Sequence, residues 1–186
     1  MSTDYFGKYF TSDGFDFPNL INDDFMKPIK LLFNNEHYVS ASKLLMTFID
    51  SVGYVEYGES SKNPFIDWLN NYADLSTVGV TSAELWEQRN SLLHMSNLDS
   101  RKVVAGKEKR LFFYIGSLDG TTPIGDETSK CYSFWHLILA LGEACENWFK
   151  SYDRDRNKIS GFIERYDLIA SDSRMLWIKK QTNEQG

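Results

Sequence analysis

A mostly α-helical protein, a helical bundle carrying one small β-hairpin insertion, is the fold class this chain predicts, and three observations carry it. Apolar side chains recur three and four residues apart over residues 40–55, 64–75, 85–93 and 134–149, the spacing that gathers them on one helix face. Helix-starting chemistry precedes two of those segments: Pro64 suits a first helical position, and Thr81-Ser82-Ala83-Glu84 has the form of a capping box. Residues 102–115 alone combine β-branched and aromatic runs around a glycine-containing turn, the pattern of a hairpin.

Taken in order, residues 1–21 are aromatic, acidic and glycine-containing without helical period, which predicts an N-terminal arm that docks on the domain or on a partner. Residues 22–186 are expected to form a single helical-bundle domain. Its first helix is predicted over 23–36, capped by Asn22 or Asp23, with Pro28 bending it or shifting its start. The second runs over 40–55, with Leu44, Leu45, Phe48, Ile49 and Val52 as its apolar face. Gly53, Gly58 and the polar run that follows mark a loop before a third helix over 64–75, where Phe65, Trp68, Leu69 and Tyr72 share a face. Thr81 or Ser82 then caps a fourth helix. The hairpin pairs Lys102-Val103-Val104 with residues 110–115, and a loop over 116–126 leads to the longest helix, 129–152. The apolar residues of 162–180 predict one more short helix or strand.

Composition narrows the function. A hydrophobic fraction of 42% with 25% charged residues fits a globular domain that buries a core. At 15% aromatic, the chain has many large rings for the limited interior of a domain this size, so several are expected to line the core or a subunit interface. The net charge of −6 argues against a protein that holds nucleic acid by an overall basic field. Locally the balance reverses: Arg101, Lys102, Lys107, Lys109 and Arg110 stand against the single acidic Glu108 in ten residues, either an RNA-guiding patch or a solvated hairpin. Cys131 and Cys145, placed about 21 Å apart along one helix, are out of disulfide reach and suit a reducing cytoplasm. No signal peptide and no run of eighteen apolar residues is read, so no membrane partner is expected. Phosphate loops of the P-loop or Rossmann kind, GxSxG and zinc-spaced Cys/His pairs are likewise not read, and no metal or cofactor is expected. His37 and His136 lack partner motifs and read as surface histidines.

The chemistry concentrates in Arg89-Asn90-Ser91-Leu92-Leu93-His94. A guanidinium can hold a phosphate through two parallel hydrogen bonds, and an imidazole moves protons near neutral pH. Together they suffice for metal-free cleavage of a phosphodiester. On a helix, Leu85, Trp86, Leu92 and Leu93 make one apolar stripe with Arg89 near its middle, while Asn90 and His94 stack on an adjoining face. Charged side chains are seldom buried unpaired, so Arg89 is expected either beside a carboxylate or at a seam where a second surface meets the helix.

Arg89, Asn90 and His94 resemble the signature of the HEPN superfamily, an arginine, then Asn, Asp or His, then a short spacer and a histidine. The resemblance covers the motif and its helical context, about residues 23–155. It implies a HEPN-like helical bundle and a metal-independent endoribonuclease, a toxin or defence effector that acts as a homodimer with two motifs facing one cleft. In that reading RNA is a transient substrate, His94 is general base or acid, Arg89 stabilises charge on the phosphate, and Asn90 orients His94 or binds the phosphate. A neutralising antitoxin protein is implied as a further partner. Some members keep the fold without cleavage, so a non-catalytic nucleotide- or protein-binding module is the alternative. In a third, structural reading Arg89 is salt-bridged within the domain and His94 is a solvated cation near a helix C-terminus.

Overall fold

The computed structural model describes residues 7–95, 98–117 and 125–170 and is mostly helical. A short 3₁₀ turn and a two-residue antiparallel ribbon, β1 (Phe10–Thr11) with β2 (Gly14–Phe15), lead into α1 (Phe17–Ile21). The Asp16 side chain caps α1 by accepting from the Asn19 N–H, and Pro18 occupies its first turn. The helix starts earlier than position 23 because Phe17, Leu20 and Ile21 are core residues. Phe17 meets Phe15, Tyr152 and Phe162 at centroid separations of 4.7, 4.8 and 4.6 Å. Within the segment read as an arm, Tyr9 is also buried, and its hydroxyl donates to Asp23 at 3.0 Å.

Pro28 explains the next irregularity. Lacking an N–H, it cannot continue an α ladder, and the chain passes through a π turn, Asn22–Met26, where the Lys27 N–H reaches back to the Asn22 carbonyl. The helical path then resumes as α2 (Lys27–Asn34). It is followed by α3 (Tyr38–Tyr57), which ends at Gly58 with φ +53°, and α4 (Pro64–Tyr72), which is capped by the Asn63 side chain. Gly53 lets α3 and α4 touch: a Cβ there would lie 2.6 Å from the Pro64 carbonyl oxygen.

The motif helix α5 (Ser82–Asn90) begins with the full capping box between Thr81 and Glu84, then widens into a π turn, Ser91–Met95. Beyond it the chain departs from the predicted hairpin. Lys102 and Val103 lie in a short helix, α6 (Arg101–Val104), because the Ser100 hydroxyl accepts from the Val103 N–H and caps it. Gly106, at φ +65°, then turns the chain. The strand β3 (Arg110–Tyr114) pairs instead in parallel with β4 (Ser129–Ser133), in the register Phe112 to Cys131. Residues 129–133 are therefore extended rather than helical: they supply the ladder partners that the β3 backbone requires. Ser133 caps α7 (Phe134–Arg154), accepting from the His136 N–H. Cys131 thus lies on a strand and Cys145 on α7, not on one helix, and both are free thiols. The last described element is α8 (Lys158–Ala170); the rest of the apolar segment predicted over 162–180 lies outside the described residues.

One buried cluster runs from Tyr9 to Tyr166 through α1, α3, α4 and α7. Glu56 ties its edge together. Only 6% exposed, its side chain accepts from Tyr72 Oη at 2.8 Å, Trp148 Nε1 at 2.9 Å, Tyr152 Oη at 2.9 Å and Lys158 Nζ at 2.5 Å. One carboxylate so joins α3, α4, α7 and α8. Among the described residues no helix is long and apolar enough to cross a membrane.

Candidate functional site

Arg89 stands in the last turn of α5, and every nitrogen of its guanidinium has a partner. Nε donates to Asp50 Oδ2 at 2.7 Å, and Nη2 donates to the same oxygen. Nη1 faces Asn90 Oδ1 at 3.2 Å and His94 Nε2 at 2.8 Å. The Trp86 ring lies under the group, 5.1 Å from the guanidinium carbon. Asp50 comes from α3, so the arginine lies at a seam between two helices of the same chain, with side chains 18% (Arg89) and 26% (Asp50) exposed. The paired carboxylate expected beside Arg89 is Asp50.

Five residues along an ideal α-helix are about 140° apart around its axis, which would point Arg89 and His94 in different directions. The π turn that contains His94 has more residues per turn than an α-helix, and the two side chains meet. An arginine only donates, so Nε2 of His94 is the acceptor and a neutral imidazole carries its hydrogen on Nδ1. That leaves a nitrogen able to take a proton next to a group able to bind a phosphate oxygen.

A cavity of about 500 Å³ opens beside this cluster, lined by Trp86, Glu87, Asn90, His94, Ser100, Arg101 and Lys102. Glu87 is 5% exposed. Its Oε2 accepts from Ser100 Oγ at 2.9 Å, and Oε1 pairs with Lys102 Nζ at 2.8 Å. Hydrogen bonding to Glu87 holds the Lys102 ammonium above its ordinary range. Ser100 thus does two things: it caps α6 and clips α6 to the motif helix, which fixes Arg101 on the cavity wall.

The five basic residues line two cavities. Arg101 and Lys102 reach the cavity of Asn90 and His94. Lys107, Lys109 and Arg110 line a separate cavity of about 650 Å³ together with Glu84, Glu108 and Glu127, where the charges are mixed. Arg110 is also engaged by Asp99, at 2.7 Å from Nε. The helical turn at α6 and the β3–β4 pairing separate the two groups. His37 and His136 are exposed and outside the cavity.

Reading the sequence missed Asp50, Trp86, Glu87 and Ser100 as parts of the site. A carboxylate partner for Arg89 was foreseeable, but thirty-nine residues separate it from Asp50, and no local spacing singles out one carboxylate among many. Ser100 carried a legible signal as an N-cap residue before Arg101.

Asn90, His94, Arg101 and Lys102 meet in one cavity, with Arg89 hydrogen-bonded to the first two. No protein-family model matches the chain, and neither the curated proteins nor the solved structures give a match.

Proposed function

We propose that this chain is a HEPN-like, metal-independent endoribonuclease, in which Arg89, Asn90 and His94 cleave RNA by transesterification. The observation that carries the reading is that Asn90 Oδ1 and His94 Nε2 both lie within 3.2 Å of Arg89 Nη1, beside a cavity large enough for a nucleotide. His94 Nε2 exchanges its hydrogen bond from Arg89 Nη1 for one from the RNA 2′-hydroxyl, which frees that Nη1 N–H, and takes the hydroxyl proton as the oxygen attacks the adjacent phosphorus. The P–O5′ bond breaks, the 5′-oxygen gains a proton, and a 2′,3′-cyclic phosphate remains. In the homodimer the resemblance implies, the acid for the 5′-oxygen is the same histidine of the second copy. Arg89 Nη1 stabilises the charge that builds on the non-bridging oxygens. Arg101 supplies local positive charge that the net balance of the chain does not. A toxin or defence role, with a neutralising protein partner, belongs to this reading.

One observation favours a second reading, in which Arg89 is purely structural and the helices carry no catalysis. Asp50 of the same chain already neutralises Arg89, and His94 is exposed. Cleavage of RNA in excess EDTA by wild type and by folded His94→Ala separates the two. Cyclic phosphate ends from wild type, lost in the variant, support the nuclease. Identical traces from both proteins overturn it.

A further inference from the structure

On the other side of the Asp50–Arg89 pair lies a second cavity of about 440 Å³, which the cleavage chemistry does not use. Trp86 lines both cavities. Asp50 lines the second, while Asn90 and His94, the partners of Arg89, line the first. Trp86 is therefore the wall the two pockets share, with the ion pair beside it, and a phosphate bound at Arg89 has room for a nucleoside on the far side.

The walls of this second pocket suit a nucleobase. Tyr54 and Trp86 supply two aromatic rings, and the core residue Phe65, 1% exposed, backs Trp86 at 5.5 Å between centroids. Ser51 and Lys62 also line it, and neither side chain makes a hydrogen bond or ion pair among the described residues. Lys62 is exposed, so its ammonium stands at the mouth, at the place for a neighbouring phosphate. Asp50 uses only Oδ2 for Arg89, and its Oδ1 accepts no hydrogen bond among the described residues. An acceptor of that kind favours a base that presents an amino group, as guanine, adenine and cytosine do. Uracil offers one N–H between two carbonyl oxygens, which a carboxylate repels.

We propose that the cavity formed by Asp50, Ser51, Tyr54, Lys62, Phe65 and Trp86 is a nucleobase subsite, which holds a base next to the cleaved phosphate and selects amino-bearing bases over uracil. Its register beside a scissile phosphate rests on the ribonuclease reading. The pocket itself rests on its aromatic walls and unengaged polar groups. Stacking of a base on aromatic rings is sequence-tolerant, whereas the carboxylate supplies the choice.

The test uses the full chain and two measurements. Calorimetry with the four nucleoside 3′- and 5′-monophosphates reads the pocket without turnover. Guanine, adenine and cytosine nucleotides should bind at least about fivefold tighter than the uracil ones. Tyr54→Ala should weaken them about tenfold, the loss of one stacking partner, while Tyr54→Phe keeps wild-type affinity. Lys62→Glu, at an exposed position that does not challenge folding, should weaken them as well. Sequencing of cut sites in a random RNA pool then reads the same preference in cleavage. Base-selective binding without cleavage removes the nuclease reading and leaves a mononucleotide site. Cleavage with no base preference, together with equal affinities that Tyr54→Ala and Lys62→Glu leave unchanged, overturns the subsite and leaves the nuclease standing.

Discussion

Asp50 Oδ2 takes two N–H bonds from Arg89, through Nε and Nη2, and so turns the remaining nitrogen, Nη1, toward His94 and Asn90. A carboxylate on one helix thereby aims a cation on another. The pair is partly buried, and it orients the guanidinium as much as it neutralises it.

Replacing Asp50 should consequently harm both the site and the fold. Charge-assisted hydrogen bonds to a partly buried arginine are worth about 1.5–3 kcal/mol. Partial exposure places Asp50→Asn near the lower end, and thermal melting should fall by about 3–6 °C for a chain of this size. RNA cleavage should drop more than tenfold, because Arg89 loses its fixed aim. His94→Ala, at an exposed position, should leave the melting curve within about 0.5 kcal/mol of wild type while abolishing cleavage. A variant of Asp50 with unchanged melting and unchanged cleavage would remove the pair from both roles.

Glu56 sets an acid limit on stability. Burial alone would raise its pKa, but hydrogen bonds from Lys158, Trp148, Tyr72 and Tyr152 outweigh it and hold the carboxyl below its ordinary value of 4.5. A folded-state pKa below the unfolded one stabilises the protein fully above about pH 4.5, and that contribution disappears as pH falls through the folded value. Urea unfolding at pH 7 and at pH 3.5 should therefore differ more for wild type than for Glu56→Gln. At pH 7 the variant should be weaker by about 2–4 kcal/mol, because Lys158 is left without its charge partner.

Gly53 should resist the usual benefit of alanine. In an open helix Gly→Ala gains about 1 kcal/mol. Here the new Cβ would stand 2.6 Å from the Pro64 oxygen and 3.1 Å from the Phe65 nitrogen, both backbone atoms. Gly53→Ala should cost about 1–3 kcal/mol through the displacement of α4, read as a lower urea midpoint with an unchanged slope. A more stable variant would mean that the two helices are not in contact there.

The division of the basic residues is open to a salt titration. Arg101 shares the cavity of His94, whereas Lys109 lies in the mixed-charge cavity beyond it. With a single-stranded RNA and His94→Ala protein, removing one phosphate contact lowers the slope of log affinity against log salt by about 0.7. Arg101→Ala should show that change and Lys109→Ala should not. Equal effects of both would restore a continuous basic patch.

Buried thiol chemistry gives a check on packing that is independent of RNA. Burial pushes the Cys145 thiol up to about 12 and raises that of Cys131 less far. A thiolate-selective reagent at pH 8 should modify Cys131 slowly and Cys145 only on unfolding. Rapid modification of both in the native protein would contradict the burial of α7.

Local chemistry explains what could be read from the chain. The mostly helical class, the Thr81–Glu84 capping box, the start of α4 at Pro64 and the apolar faces of α3 and α7 all depend on residues within one or two turns of each other, so spacing alone determined them. What lay farther apart was decided by packing. Residues 129–133 took up strand geometry because β3 needed ladder partners, and the predicted hairpin gave way to a parallel pair. Arg89 found Asp50 across thirty-nine positions, and a π turn moved His94 onto the arginine. Caps and periodicity act along the chain. Ion pairs and strand pairing act through space, where many carboxylates and many backbone groups compete and only the assembled fold chooses between them.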